Sequence, residues 1–203
     1  MNKLFLDIET IPAPDKYREY FKEKYDKQFV QKEDFETFFR RSALDGNFGR
    51  ILCIGYAKDN ERIDIIYSKR EKEILEKFWD IAKNVDLFIG HNVMDFDLRY
   101  IYKRSIINAV RPSQILSFAR YRSSPIYDTM REWEYWANSS ISLDTLSKIL
   151  NLKTSKLGLS GDKVYDTFKA GKIKKILEYC KQDVRLTREI YNRMKFLDKR
   201  TLL

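Results

Sequence analysis

Apolar positions recur every second residue from Lys3 to Thr10, so Leu4, Leu6 and Ile8 share one face of a strand that Pro12 and Pro14 bring to an end. From Asp15 to Arg41 the period lengthens to that of a helix, through Tyr17, Tyr20/Phe21 and Tyr25, and predicts one or two amphipathic helices inserted after the first strand. Asp45-Gly46-Asn47 marks a turn. Arg50 to Ala57 then reads as a strand, Asp59-Asn60 as a second turn, and Ile63 to Tyr67 as the other arm of a hairpin.

Ile74, Leu75, Phe78 and Ile81/Ala82 place a helix over Glu71 to Ala82. A short apolar strand, Asp86 to Ile89, stops at Gly90, and a helix follows from about Asp95 to Lys103 with Asp95 as its N-cap. Ile115 to Phe118 reads as a further strand, and Met130–Ala137 and Ser142–Leu150 as helices, with Asp128 and Asp144 as caps. Lys153 to Lys163, with glycines at 158 and 161, reads as a loop; the last helix runs from near Ile173 to Met194 or beyond. Its apolar stripe is Ile173, Ile176/Leu177, Cys180, Val184, Thr187 and Tyr191. Trp79, Trp133 and Trp136 are expected in the core. Five strands with helices between them predict an α/β domain of three layers around a central mixed sheet of about five strands, with a helical insertion after the first. No repeat or linker divides residues 1–203, so one domain is expected.

Composition narrows the functional classes. The 203 residues are 43% hydrophobic and 14% aromatic, enough for a core and against disorder. No apolar run approaches the roughly 20 residues of a membrane span, and Met1-Asn2-Lys3 leads directly into Leu4-Phe5-Leu6-Asp7, unlike a leader peptide. A cytoplasmic protein is expected. The 39 Lys and Arg outnumber 30 acids, a net charge of +9 that favours a polyanionic partner, nucleic acid first. Cys53 and Cys180 form no C-x-x-C, so disulfide scaffolds and zinc-thiolate sites are not expected, and with His91 the only histidine a multi-histidine metal site cannot be built in one chain. Chemistry here must run on carboxylates.

Asp7 and Glu9, two apart on a strand, leave the same face, opposite Leu6 and Ile8. Adjacent acids on an apolar strand call for a compensating cation, and hard divalent metals select carboxylate oxygens. A second signal follows the strand that stops at Gly90: His91-Asn92-Val93-Met94-Asp95-Phe96-Asp97, acids where a loop enters a helix. The third is Tyr179 and Asp183, an i, i+4 pair flanking the stripe of the last helix.

The ordered set, Phe5-Leu6-Asp7-Ile8-Glu9-Thr10, then Asn92 to Asp97, then Tyr179 to Asp183, resembles the tyrosine (DEDDy) branch of the DEDD 3′–5′ exonucleases on the ribonuclease H-like fold. Thr10-Ile11-Pro12, Arg50-Ile51 and the approach from Gly161 to Tyr179 are similar to the exonuclease part of family-B DNA polymerases and its stand-alone relatives. The likeness spans about residues 3 to 195, and no polymerase domain is expected to follow. The histidine branch needs a histidine at 178, where this chain has Glu; His91 reads as a loop residue behind the site. The resemblance implies that Asp7, Glu9, Asp97 and Asp183 hold two Mg²⁺ or Mn²⁺ ions, roughly 3.5–4 Å apart. Asp7 would bridge them, Glu9 and Asp183 would hold the water-activating ion, and Asp97 the ion at the leaving group. Tyr179 would orient the attacking water, and Thr10 and Asn92 would bind substrate.

The implied substrate is the 3′ end of single-stranded DNA. RNA stays open as the alternative, as does a non-catalytic nucleic-acid-binding module. A polymerase or repair partner is not readable from the sequence. Lys153, Lys156, Lys163, Lys172, Lys174 and Lys175 precede the third motif and can track a phosphate backbone. The aromatics from Tyr17 to Phe39 can stack bases or, as such residues more often do, form the core of the inserted helices.

Overall fold

The computed structural model describes residues 1–153 and 159–197. Five strands, β1 (Lys3–Ile11), β2 (Arg50–Lys58), β3 (Asp64–Tyr67), β4 (Leu87–Gly90) and β5 (Ile126–Asp128), form one sheet in the order β3-β2-β1-β4-β5. β2 runs antiparallel to both β1 and β3, whereas β4 runs parallel to β1 and to β5, so the sheet is mixed as expected. Among the described residues the helices are α1 (Arg18–Asp26), α2 (Phe35–Arg40), α3 (Glu71–Ala82), α4 (Asp97–Ile107), α5 (Thr129–Trp133), α6 (Leu143–Ile149), α7 (Val164–Lys169) and α8 (Ile173–Met194). None is long and apolar enough to cross a membrane.

Alternation along β1 sends its side chains to two covers. Leu4, Leu6 and Ile8 pack with Ile74, Phe78 and Trp79 of α3 and with Leu98 and Ile101 of α4. On the other face Phe5 packs with Val184 and Tyr191 of α8. α8 lies close against this face because β2 carries Gly55 beneath it: a Cβ there would come within 2.9 Å of Cys180 Sγ and of Val184 Cγ2. Gly55 is also the residue paired with Asp7, so its missing side chain brings α8 against the acidic part of β1.

The fifth strand is not where the pattern places it. Ile115–Phe118 is not a strand, and Ile115 is fully exposed. Tyr102 donates its hydroxyl to the Gln114 carbonyl (2.5 Å) and accepts from the Leu116 N–H (2.9 Å), which fixes the segment against α3 and α4. The edge beside β4 is taken instead by Ile126–Asp128, three buried residues too few to give a periodic signal. The helix expected over Met130–Ala137 stops at Trp133, since Tyr135 and Trp136 adopt positive φ (49° and 62°). Trp79 is buried; Trp133 and Trp136 are half-buried at the core's margin. The insertion holds its own aromatic cluster, with Phe21 and Phe39 buried and Tyr17, Phe35, Phe38 and Phe48 packed around them. Lys156, Gly158 and the middle of the expected 153–163 loop lie outside the described residues.

Candidate active site

The carboxylates named by the sequence reach one place from three elements. Asp7 and Glu9 stand on the α8 face of β1, and Glu9 pairs with Cys53 just before a register shift at Glu9/Thr10. One carboxylate oxygen from each, and Cys180 Sγ, lie within 4.8 Å of one another. Asp97 arrives from the side. Since β4 ends at Gly90, the backbone of β1 loses its neighbour beyond Phe5, and Asp97 at the start of α4 accepts the free Ile8 N–H on its Oδ1 at 3.0 Å. Asp183 comes from α8, one turn beyond Tyr179, and the Tyr179 hydroxyl hydrogen-bonds to its carboxylate.

Burial makes this concentration of negative charge costly. Asp7 is held well above the ordinary carboxylate range, first by burial and then by Asp183, Asp97 and Glu9. Glu9 rises likewise through burial, Cys53, Asp183 and Asp97. Asp97 is raised to about 7 by burial, against the backbone hydrogen bonds it accepts. Asp183 is raised to about 6 by burial, with Asp144 of α6 adding negative charge and the Tyr179 hydroxyl opposing. Tyr179, raised by burial and by Asp183 and Glu9, stays protonated. Asp7 Oδ2 is buried with no hydrogen-bond partner among the described residues. Four carboxylates with an orphaned buried oxygen and unbalanced charge fit a hard divalent cation, and burial pushes the neighbouring Cys180 thiol up, which disfavours it as a thiolate donor.

A pH dependence follows. Between the unfolded carboxylate pKa near 4 and the raised folded values, the folded chain binds more protons than the unfolded one, so stability falls as pH rises. Without divalent cations the Tm is expected to drop as pH is raised from about 4 to about 7, the window set by Asp97 and Asp183. The gain in Tm on adding Mg²⁺ or Mn²⁺ is expected to grow over the same range. Scanning fluorimetry across pH with EDTA or metal reads both; a flat apo profile would contradict it.

The remaining residues divide clearly. Asn92 adopts left-handed φ (59°) and gives its N–H to Asp128 (2.9 Å). Thr10 is half-buried and its hydroxyl bonds to Tyr100. His91, held neutral by burial, places Nδ1 at 3.0 Å from the Thr129 hydroxyl and Nε2 at 2.8 Å from the Ile141 carbonyl, so it ties the loop to the segment before α6. Asp95 is not the cap of α4: Arg131 draws it into an ion pair of 2.6 Å. Asp144 lies inside the first turn of α6, and Ser142 caps that helix.

Asp128 does more than cap α5. It accepts from Met130 and Arg131 of that helix and from Asn92 and Met94 of the loop that leads to Asp97. The signal for that second role was its place at the carboxyl end of a parallel strand, visible only once β5 is recognised.

A family model described as a predicted 3′-5′ exonuclease related to the exonuclease domain of PolB matches residues 44–201. The match takes in the second and third motifs and begins after β1. No curated protein matches. Among solved structures, 55 chains match. One is the family B DNA polymerase from the hyperthermophilic archaeon Pyrobaculum calidifontis, with a TM-score of 0.65 and 16% identity over 96% of this chain and 24% of that one. The likeness is one of fold, and this chain spans about a quarter of that polymerase's length.

Proposed function

Because the chain belongs to the family of predicted 3′-5′ exonucleases related to the exonuclease domain of PolB, we propose that residues 1–203 act as one unit that removes nucleotides from the 3′ end of single-stranded DNA with two divalent cations. The observation that carries the metal-dependent reading is the meeting of buried Glu9 and Asp97 with half-buried Asp7 and Asp183, one Asp7 oxygen being buried without a hydrogen-bond partner among the described residues. Mg²⁺ or Mn²⁺ held by these four residues would supply charge neutralisation at the phosphoryl group and a water of lowered pKa.

The chain's own groups do the positioning. Asp97 is fixed on one oxygen by the N–H of Ile8, the residue between Asp7 and Glu9 on β1. Tyr179 keeps its proton and so acts as a hydrogen-bonding group, not as a base. Its bond to Asp183 ties the two together on α8, where both can orient a water. Asn92, on the loop clamped by Asp128, and Thr10, at the register shift beside Glu9, are proposed to contact the terminal nucleotide.

The test is a 5′-labelled single-stranded DNA oligonucleotide with Mg²⁺ or Mn²⁺ against EDTA, beside an RNA of the same sequence. A ladder shortening from the 3′ end only with metal supports the reading; preference for the RNA moves the substrate; binding without cleavage leaves a binding module. In the same assay Tyr179→Phe is expected to slow turnover by roughly 10- to 100-fold and leave a measurable remainder. An unchanged rate would remove Tyr179 from the mechanism.

A further inference from the structure

Outside the carboxylate site, a groove of about 370 Å³ lies between α7 and the start of α8. Lys163, Thr167, Lys172 and Lys175 line it with Leu159 and Asp166. The Asp166 carboxylate is already engaged by Arg40, at 2.9 and 3.2 Å. Asp162 lies near Lys163 but is fully exposed. None of the three lysines forms an ion pair among the described residues.

Their position on the helix is unfavourable by itself. Lys172 occupies the N-cap of α8, Lys174 and Lys175 follow in its first turn, and that turn holds no acid. Cations at this end oppose the helix dipole, and the last turn of the same helix is the place where they would be welcome. An anion in the groove reverses the sign: the helix dipole and three ammonium groups then act on one ligand.

The groove is also in line with the carboxylate site. Lys175, Tyr179 and Asp183 succeed one another at i, i+4, i+8 and share a face of α8. At 1.5 Å per residue, Lys175 lies about 6 Å along the axis from Tyr179 and about 12 Å from Asp183. The longer distance is three to four nucleotide steps at the roughly 3.4 Å rise of a stacked strand, and fewer on an extended one.

We propose that this groove is a backbone-anion site, in which Lys163, Lys172 and Lys175 grip the phosphodiester chain a few nucleotides 5′ of the bond cut beside Tyr179 and Asp183. The inference rests on the exonuclease reading for its direction along the strand, but not for its ligand, an extended polyanion held without base readout.

The test uses the full chain carrying Asp7→Asn, in EDTA so that nothing is cut, with fluorescent oligothymidylates of 12 and 3 nucleotides at several NaCl concentrations. Lys163→Gln/Lys172→Gln/Lys175→Gln is expected to weaken 12-mer binding by about tenfold or more and to lower the salt slope by about 2, at ~0.7 per phosphate contact on a single strand. The advantage of the 12-mer over the 3-mer shrinks with it, and the triple Lys→Arg variant restores most of the loss. Unchanged 12-mer affinity and slope in the glutamine variant would overturn the proposal, as would an equal loss for both lengths. If the unsubstituted chain cuts no nucleic acid yet holds the 12-mer through these lysines, the exonuclease reading fails and the groove stands.

Discussion

Asp7→Asn is expected to abolish nuclease activity and, without divalent cations, to raise the melting temperature. The two effects have one origin. Asp7 is half-buried, with its Oδ2 fully buried, and Asp183, Asp97 and Glu9 each raise its proton affinity beyond what desolvation imposes. At neutral pH and without divalent cations the site must therefore either bind a proton or carry a charge that nothing balances, and each tenfold of displaced proton affinity is worth about 1.4 kcal/mol. Asparagine keeps the shape and removes the charge, so a gain of at least ~1 kcal/mol is expected, or about 2–4 °C for a chain of this size. The same change withdraws an anionic oxygen from the proposed metal site, and activity should fall by roughly 10³-fold or more, the scale of losing one preorganised electrostatic group. Scanning fluorimetry in EDTA and the oligonucleotide assay in Mg²⁺ measure the pair. A variant that retains activity would remove Asp7 from the site. One that is inactive but less stable would mean that Asp7 supports the fold instead.

How far such a site is legible in sequence depends on how each residue is held. Asp7 and Glu9 sit on a strand whose period of two fixes their common face, and Tyr179 and Asp183 on a helix whose apolar stripe runs unbroken from Ile176 to Tyr191. Both periodicities act over many residues, so β1 and α8 were readable nearly to their ends. Asp97 was singled out by likeness rather than by physics, because its place depends on a long-range fact: β4 is shorter than β1 and leaves the Ile8 N–H to be satisfied by a side chain 89 residues away.

β5 escaped for the same kind of reason. Three residues carry no period, whereas Ile115–Phe118 looks like a strand locally and is held instead by the Tyr102 hydroxyl. Asp95, a good cap by local rules, is outbid by Arg131. In each case a tertiary partner overrides a local preference, and a single chain read residue by residue gives no view of that partner.

The second large effect expected is on the fold, at an ion pair that no motif announces. Glu71 at the start of α3 and Arg104 near the end of α4 are both buried, and the Glu71 carboxylate accepts from Arg104 Nε (2.9 Å) and Nη2 (2.7 Å), from Asn108 Nδ2 (3.0 Å) and from the Ile51 N–H (2.7 Å). It therefore joins two helices to β2 where that strand meets Thr10, next to the register shift beside Glu9. Arg104→Met is expected to cost about 3–5 kcal/mol, since it leaves a buried carboxylate without its counter-charge, and to lower the Tm by roughly 10 °C. Adding Glu71→Gln should return a large part of that loss. The amide oxygen can still accept the Ile51 N–H, so no backbone donor is left unsatisfied, while the charge that had lost its partner is gone. Glu71→Gln alone should be costly, because it strands the guanidinium. Denaturant unfolding of the two single variants and the double one closes the cycle. If Arg104→Met costs less than about 1 kcal/mol, or the second substitution adds to the loss instead of relieving it, the pair behaves as a solvated surface bridge, and the joint between α3, α4 and β2 must rest on the apolar contacts around Ile74 and Ile101 alone.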